Sequence, residues 1–363
     1  MAANSTNPLL SARSASTIIG PPKEPFRPYA KVHEEPKGAG DARPTALQVV
    51  QDEGLIGKLQ GKVYFITGAG GGIGAETTKA LHATGADVYF TVRPEKREQG
   101  EKVAKDILST GSGQGKVEVI PLDLGSFASI KAGAEDFLSK SKTLNGLILN
   151  AGVMCTPKGK TVDGFETQIG TNHFGHFYLF QLLKEALLAS STPDFQSRVL
   201  VVSSAGHRTS GIRFDDINWE KGEYNPMEAY GQSKTANIYM ATSIERHYGS
   251  KGLHGLSAHP GGILETGIGR HQDLSVFKTD PKMMALLPNF KSLEQGAATT
   301  VWGILTKRYN DRGGVFLGDV GEAVPWGPQH TAGSAAYVPH AYDAEAEERL
   351  WQLSCDAVGV KSD

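Results

Sequence analysis

From Gly61 onward the chain alternates short apolar runs with longer segments of helical period. The runs KVYFIT, DVYFTV, VEVIPL, GLILNA, RVLVVSS, LHGLSAHP and GVFLG predict seven strands. The first five are near-continuous in apolar residues rather than alternating, as strands buried on both faces require. Helix-length segments separate them. The pattern therefore predicts a doubly wound parallel sheet of about seven strands in three α/β/α layers, within a single domain. The last helical stretch, DAEAEERLWQLSCDAV, sets Leu350, Trp351 and Leu353 toward one face and acids on the other, so residues 341–363 are expected to dock as a helix. The first 45 residues hold seven of the 18 prolines and show no hydrophobic period, so an N-terminal extension outside the core, poorly ordered, is expected there. That leaves residues 46–340 as the folded domain.

Composition narrows the partners. With 39% hydrophobic and 21% charged residues, the chain is ordinary for a globular protein, and 44 glycines suit many short strand-to-helix turns. A net charge of -2 leaves no electrostatic footprint for nucleic acid or an anionic membrane. Cys155 and Cys355 are the only cysteines and stand far apart, which implies neither a disulfide framework nor a structural metal site. No apolar run approaches the roughly 18 residues of a transmembrane segment. The N-terminus lacks the apolar centre of a signal peptide. Its first 20 residues contain Arg13, serines and no acid, like a transit peptide, but the prolines oppose the amphipathic helix such a signal uses; a cytoplasmic location is expected.

The first strand runs directly into TGAGGGIG, Thr67 to Gly74, and then into a helix. Glycine at such a junction lets the backbone turn tightly and approach a pyrophosphate, with free N–H groups and the positive helix end aimed at the anion. Gly68, Gly72, Ile73 and Gly74 are thus candidate dinucleotide-binding residues, and the fold is expected to be of the Rossmann type. A solvated glycine-rich loop is the alternative. The motif lacks the Lys-Ser/Thr ending of a phosphate-hydrolysing loop. At the end of the second strand, where an acid would hold the ribose 2′-hydroxyl of NAD, stand Val92 and Arg93, with Lys96 and Arg97 close behind. These cations predict NADP(H) in preference to NAD(H), unless they form a solvated basic face. After the third strand, Asp123 with Leu124 is placed either to accept from an adenine amino group or to cap the next helix.

TGAGGGIG, LNAG at 149–152, Asn172 in GTNHFGHFYL, VVSS at 201–204 and YGQSK at 230–234 resemble, in order and spacing, the short-chain dehydrogenase/reductase family. The resemblance covers residues 61 to about 320. The stretch from Ser204 to Lys234 and the ending AYDAEAEERLWQLS look like the branch that includes retinol dehydrogenases and the WW-domain oxidoreductase, though no WW-domain sequence is present. This resemblance implies an NADP-dependent alcohol dehydrogenase or ketoreductase acting on a small carbonyl or alcohol. Tyr230 would be the general acid or base, Lys234 would hold the nicotinamide ribose, Ser204 would bond the substrate oxygen, and Asn172 would position a water that relays protons to Lys234. Asn150, Ala151 and Gly152 would line the nicotinamide side. Pro260 and Gly261 would close a loop over the nicotinamide, with Ile263 and Thr266 contacting its carboxamide and the pyrophosphate, although PGGILET holds one residue more than the usual pattern before its threonine. Dimers or tetramers would form through the helices that start near Phe165 and Ala229.

The residues themselves support the pairing in YGQSK. A helix sets i and i+4 on one face, so Tyr230 and Lys234 can address one ligand. Lowering a phenol from about 10 to about 7 takes roughly 4 kcal/mol. An ammonium about 4 Å away at an effective dielectric near 20 supplies that much. Taken singly, Tyr230 reads as a packed residue and Lys234 as a solvated one. His173 and His176 lie three apart without a third ligand, so packing or pocket lining is expected rather than a metal site. His207 and Cys155 fall near the expected substrate mouth, with no catalytic role expected for Cys155. Residues 264–292 would form a substrate lid, with Met283, Met284, Leu286, Leu287 and Phe290 as an apolar cover or an ordinary packed helix, which favours a lipophilic substrate such as a terpenoid, polyketide or steroid-like ketone. A cofactor-binding protein without redox chemistry, a sensor or cyclase, is the alternative; it has no need of an acid beside a cation.

Overall fold

All seven apolar runs form strands in the computed structural model, which describes residues 19–331 and 333–362. The chain runs through α1 (Ala46–Asp52), β1 (Val63–Ile66), α2 (Gly72–Ala83), β2 (Asp87–Val92), α3 (Arg97–Ser109), β3 (Val117–Pro121), α4 (Phe127–Lys140) and β4 (Gly146–Leu149). It continues through α5 (Thr167–Ile169), α6 (Gly175–Ser190), β5 (Ser197–Val202), α7 (Pro226–Tyr248), β6 (Leu253–His259), α8 (Val276–Thr279), α9 (Pro281–Met284) and α10 (Leu293–Leu305). The last elements are β7 (Val315–Gly318), β8 (Gly321–Glu322), the short pair β9 (Val324–Pro325) and β10 (Ala336–Tyr337), and α11 (Ala344–Val358).

The sheet order is β3-β2-β1-β4-β5-β6-β7-β8, parallel from β3 through β7. Strand β1 shows why its apolar run is continuous. Tyr64 and Ile66 pack with Val49, Leu81 and Trp302 from α1, α2 and α10, whereas Val63 and Phe65 face Phe137 and Phe177 from α4 and α6. Both faces are buried, so the structure has the expected three layers. Strand β1 pairs with β2 on one side and β4 on the other. The crevice beyond the carboxyl ends of β1 and β4 is therefore the switch point where such sheets bind ligands.

Three features of the fold bear on the expectations. The sheet has eight strands, because β8 returns antiparallel to β7 through Asp319 and Val320, both at positive φ (52° and 54°). A β-branched residue there opposes turn formation locally, and hydrogen bonds hold it: Val320 N donates to Thr299 Oγ1 (3.1 Å) and Asp319 Oδ1 accepts from Lys291 Nζ (2.8 Å). Second, the proline-rich segment is bound to the domain over its described part. Phe26 N donates to Glu322 Oε2 (2.8 Å), the Phe26 ring stacks on Trp302, and Arg43 is only 4% exposed. Polar contacts and isolated ring contacts hold it, with no hydrophobic period. Residues 1–18, with the transit-peptide alternative, lie outside the described residues.

Third, α11 docks as expected, and its site bears on pairing of copies. Trp351 packs edge-on against Phe177 and Phe180 and lies close to Tyr248, while Glu347 accepts from Arg246 Nε and Nη2 (both 3.0 Å). Helix α11 thus covers the α6/α7 face that the resemblance implies for a homodimer. Leu350 and Trp351 are buried and Leu353 is part-buried.

Candidate active site

The glycine loop is shaped by what it must fit. Thr67 closes the end of β1 against β4: its Oγ1 accepts from Asn150 N (2.9 Å) and Ala151 N (3.0 Å). Gly68 has φ +70°, and a Cβ there would stand 2.7 Å from the Ala151 Cβ. At Gly74 a Cβ would stand 2.6 Å from Gly68 O and 2.7 Å from Asn150 Nδ2. Gly72 has open space but φ +60°, the left-handed region that favours glycine. Helix α2 then starts with no side-chain cap and no acid in its first turn, so its free N–H groups are left for an anion. The Oδ1 of Asn150 is buried without a protein partner.

These residues border a cleft of about 970 Å³ lined by Gly68, Gly72, Ile73, Gly74, Asn150, Ala151 and Gly152. It continues past Leu122, Asp123 and Leu124 to Arg93, Lys96 and Gln99. Of the three expected cations, Arg97 is absent from the lining and pairs with Glu101 (2.8 Å). The Arg93 side chain is 59% exposed and sits 3.3 Å from Glu95. Asp123 Oδ1 accepts from Gly125 N (2.9 Å), and Ser126, not Asp123, caps α4. The helix-cap reading of Asp123 is thereby set aside. Sequence reasoning missed Gln99, whose Nε2 donates to Gly70 O (2.6 Å) and so ties α3 to the loop. A second hollow of about 630 Å³, between Phe26, Trp302 and Arg308, holds none of these groups.

Helix α7 carries Tyr230 and Lys234 to the other end of the cleft. Asn225 caps it by accepting from Met227 N and Glu228 N, and Pro226 occupies its first position. Tyr230 is 5% exposed and Lys234 2%. A Cβ on Gly206 would come within 2.7 Å of the Tyr230 ring, and one on Gly231 would collide with Thr209 Oγ1, so the small residues of this stretch admit the turn after β5. That turn brings Ser204 beside the Tyr230 phenol, where it works against the rise of the phenol's pKa. Ser203 turns the other way and donates to Lys234 O (2.7 Å), so the serines alternate as a strand requires. Lys234 Nζ donates to Val202 O (3.0 Å).

The expected lowering of the Tyr230 pKa is not found in the protein by itself. Burial pushes the phenol up to about 12, with Ser204 opposing the rise and Cys155 adding to it. Lys234 Nζ stands 5.6 Å from the ring centroid and spends a proton on Val202. Burial pushes Lys234 itself down to about 8. Desolvation therefore outweighs a cation at this distance.

Asn172 lies behind Gly152 rather than on the cleft wall. It sits in a π-turn, Gly170–Phe174, between α5 and α6. Its Oδ1 accepts from Val153 N (2.8 Å), and its Nδ2 donates to Val153 O and Ser233 Oγ (both 2.9 Å). A Cβ on Gly152 would stand 3.1 Å from Asn172 Oδ1 and 3.5 Å from Lys234 Nζ, which places both beside that glycine. His176 fixes the backbone: Thr67 Oγ1 already accepts two N–H groups, so its proton goes to His176 Nε2 (2.9 Å) and Nδ1–H donates to Asn172 O (2.9 Å). His173 pairs instead with Ser354 (2.8 Å). Burial pushes both rings down to about 3, so both are neutral packing residues. His207 is also buried, with Nδ1 on Ser204 O (2.7 Å), and does not touch the cleft. Cys155, at φ +50°, accepts from Gln272 Nε2 (3.6 Å).

Pro260, Gly261, Ile263 and Thr266 all border the cleft, Thr266 with its hydroxyl on Ile263 O (3.3 Å). His259, missed from sequence, joins this loop to the serine turn: its Nδ1 accepts from Ala205 N (3.2 Å) and Gly261 N (3.4 Å). Burial pushes it down to about 4, so it is neutral. In the expected lid, Leu264, Ile268, Gln272, Leu274, Phe277 and Phe290 face the cleft with Met154 opposite. Met283, Met284, Leu286 and Leu287 do not, and Met284 is exposed. Of the five residues expected as an apolar cover, only Phe290 borders the cleft, joined there by Leu264, Ile268, Leu274 and Phe277.

The sequence profile described as short chain dehydrogenase matches residues 62–274. Among curated proteins, the chain is 48% identical over 326 residues to short-chain dehydrogenase/reductase prx1 of Penicillium roqueforti, covering 90% of this chain and 93% of that one. It is 39% identical over 308 residues to human retinol dehydrogenase 11, covering 84% and 88%. A crystal structure of an uncharacterised protein from Mycobacterium paratuberculosis superposes with a TM-score of 0.62 at 31% identity, covering 83% of this chain and 95% of that one.

Proposed function

The chain belongs to the short-chain dehydrogenase family, and from that premise we propose that it is an NADP(H)-dependent oxidoreductase for the carbonyl or alcohol of a lipophilic small molecule. One observation carries the reading: the buried Tyr230 and Lys234 and the half-buried Ser204 open on the same cleft as the glycine cradle. A sensor or cyclase would need the cradle but not an acid beside a buried cation.

The nicotinamide, when bound, supplies or takes up the hydride. Gly68, Gly72, Ile73 and Gly74 hold the pyrophosphate, Asp123 and Leu124 border the adenine, and Asn150 to Gly152 with Pro260 to Ile263 enclose the nicotinamide end. Thr266 closes the pyrophosphate side. Ser204 orients the substrate oxygen and Tyr230 gives or takes its proton. Lys234 holds the ribose, and Asn172 fixes the loop that carries Gly152. The substrate end is walled by Met154, Leu264, Ile268, Leu274, Phe277 and Phe290, which suits a terpenoid, polyketide, retinoid or steroid-like skeleton.

In the reducing direction the neutral phenol is the proton donor, and a pKa near 12 keeps Tyr230 protonated throughout the neutral range. The charge at risk is that of Lys234, lost as pH rises through about 8. Reductive kcat/KM is thus expected to be level below about pH 7 and to fall above about pH 8; a tenfold rise from about pH 7 to about pH 9 would contradict this assignment.

Arg93 and Lys96 provide the 2′-phosphate preference. Replacing both with Ala is expected to weaken NADPH binding about tenfold and leave NADH binding nearly unchanged, since each charge-assisted bond here is partly solvated. Titration of both cofactors at fixed salt checks it. Equal affinity of the parent protein for NADPH and NADH would remove the basis for the preference.

A further inference from the structure

Segment 37–43 of the proline-rich N-terminal region is bonded to residues 288–295, where the lid returns to the domain. Arg43 is 4% exposed and spreads its guanidinium over successive carbonyls: Nη1 donates to Asn289 O (2.9 Å), and Nη2 to Phe290 O (2.7 Å), Gly38 O (3.0 Å) and Pro288 O (3.4 Å). Its Nε donates to Asp41 Oδ1 (2.8 Å). Gly38 N donates to Pro288 O (2.9 Å). Gln295 completes the tie, with Oε1 accepting from Gly40 N (3.0 Å) and Nε2 donating to Arg43 O (3.0 Å).

The held carbonyls close the 3₁₀ turn Leu287–Asn289 and have too few partners of their own. Immediately after them comes Phe290. Its ring is T-shaped to Phe277 at 5.0 Å and stands 3.0 Å from where a Gly262 Cβ would be, and all three residues border the cleft. Lys291 N donates to Gly262 O (2.8 Å), joining the same point to the loop after β6. Helices α8 and α9 and the 287–289 turn bury no side chain, so the lid is placed by its ends rather than by its middle.

We propose that residues 37–43 are a strap that fixes one end of the substrate lid, with Arg43 the positioning residue that sets Phe290 against the loop after β6. The N-terminal segment then belongs to the substrate site, although no residue of it touches the cleft. This rests on reading the apolar end of the cleft as the substrate site. Arg43 suits the task because a planar fork can serve several carbonyls at once, which an ammonium cannot.

The test uses the full chain with Arg43→Lys, which keeps a cation for Asp41 but loses the fork, and Gln295→Leu as a second variant should the first fail to fold. NADPH affinity is measured by fluorescence titration, and reduction of decanal and propanal by steady-state kinetics. The strap predicts NADPH affinity within about twofold, propanal kinetics nearly unchanged, and a KM for decanal raised about tenfold at similar kcat. A lower melting temperature with unchanged decanal KM would mean a purely structural anchor and overturn the proposal. Hydrogen exchange provides an arm independent of turnover. Faster exchange confined to residues 262–269 and 286–292 supports the strap, and unchanged or uniformly faster exchange overturns it. Should the parent protein reduce no aldehyde, the reductase reading fails while the exchange result still decides the strap.

Discussion

Tyr230→Phe is expected to bind NADPH as tightly as the parent protein and to reduce carbonyls about 10²- to 10⁴-fold more slowly, the usual contribution of a positioned general acid. The substitution removes one hydroxyl and keeps the ring, which fills the space beside Gly206. Ser204 is not left without a partner, because Gly206 N still donates to its Oγ (3.0 Å). Folding and the cofactor cradle are thus spared, and the loss falls on the proton-transfer step. Measuring kcat with a lipophilic aldehyde beside the NADPH dissociation constant separates the two. Near-normal kcat would remove Tyr230 from the chemistry.

Gly74→Ala has the opposite signature. Its Cβ would press on Gly68 O and Asn150 Nδ2, neither of which can retreat. Asn150 Nδ2 is bonded to Thr67 O (2.9 Å), and Gly68 N is held by Thr91 Oγ1 (3.1 Å). The start of α2 must shift instead, taking its free N–H groups away from the pyrophosphate. A displacement that forfeits about 2.7 kcal/mol of these contacts raises the NADPH dissociation constant about 100-fold. Calorimetric titration checks this, with circular dichroism to confirm that the sheet is intact. An unchanged constant would show that the cradle does not hold the cofactor through this turn.

The parts legible in the sequence are those written in local pattern. Seven strands declare themselves as short apolar-rich runs, five of them near-continuous, the glycine loop by its place between strand and helix, and the Tyr230–Lys234 pair by helical spacing. The rest depends on contacts between distant segments. The strap was invisible because one guanidinium and a row of carbonyls hold it, leaving no hydrophobic period in residues 26–45. Strand β8 was missed because Val320 occupies a turn position that its side chain disfavours. The Tyr230 pKa was misjudged because spacing on a helix shows which groups are neighbours but not how deeply both are buried, nor that Val202 takes a proton from Lys234. In the segment expected to be the lid, Leu274 and Phe277 border the cleft and the methionines do not, which residue type alone does not distinguish.

These readings meet in one claim, that hydride passes between NADPH and a carbonyl within this cleft and that Tyr230 completes the transfer with a proton. The direct measurement is mass spectrometry of the products after incubation of the parent protein and Tyr230→Phe with NADPH deuterated at the transferable position and a panel of lipophilic aldehydes and ketones. The account predicts an alcohol carrying one deuterium from the parent protein and almost none from the variant. NADPH bound by the parent protein with no deuterated alcohol from any carbonyl, or equal yields from both proteins, would contradict it.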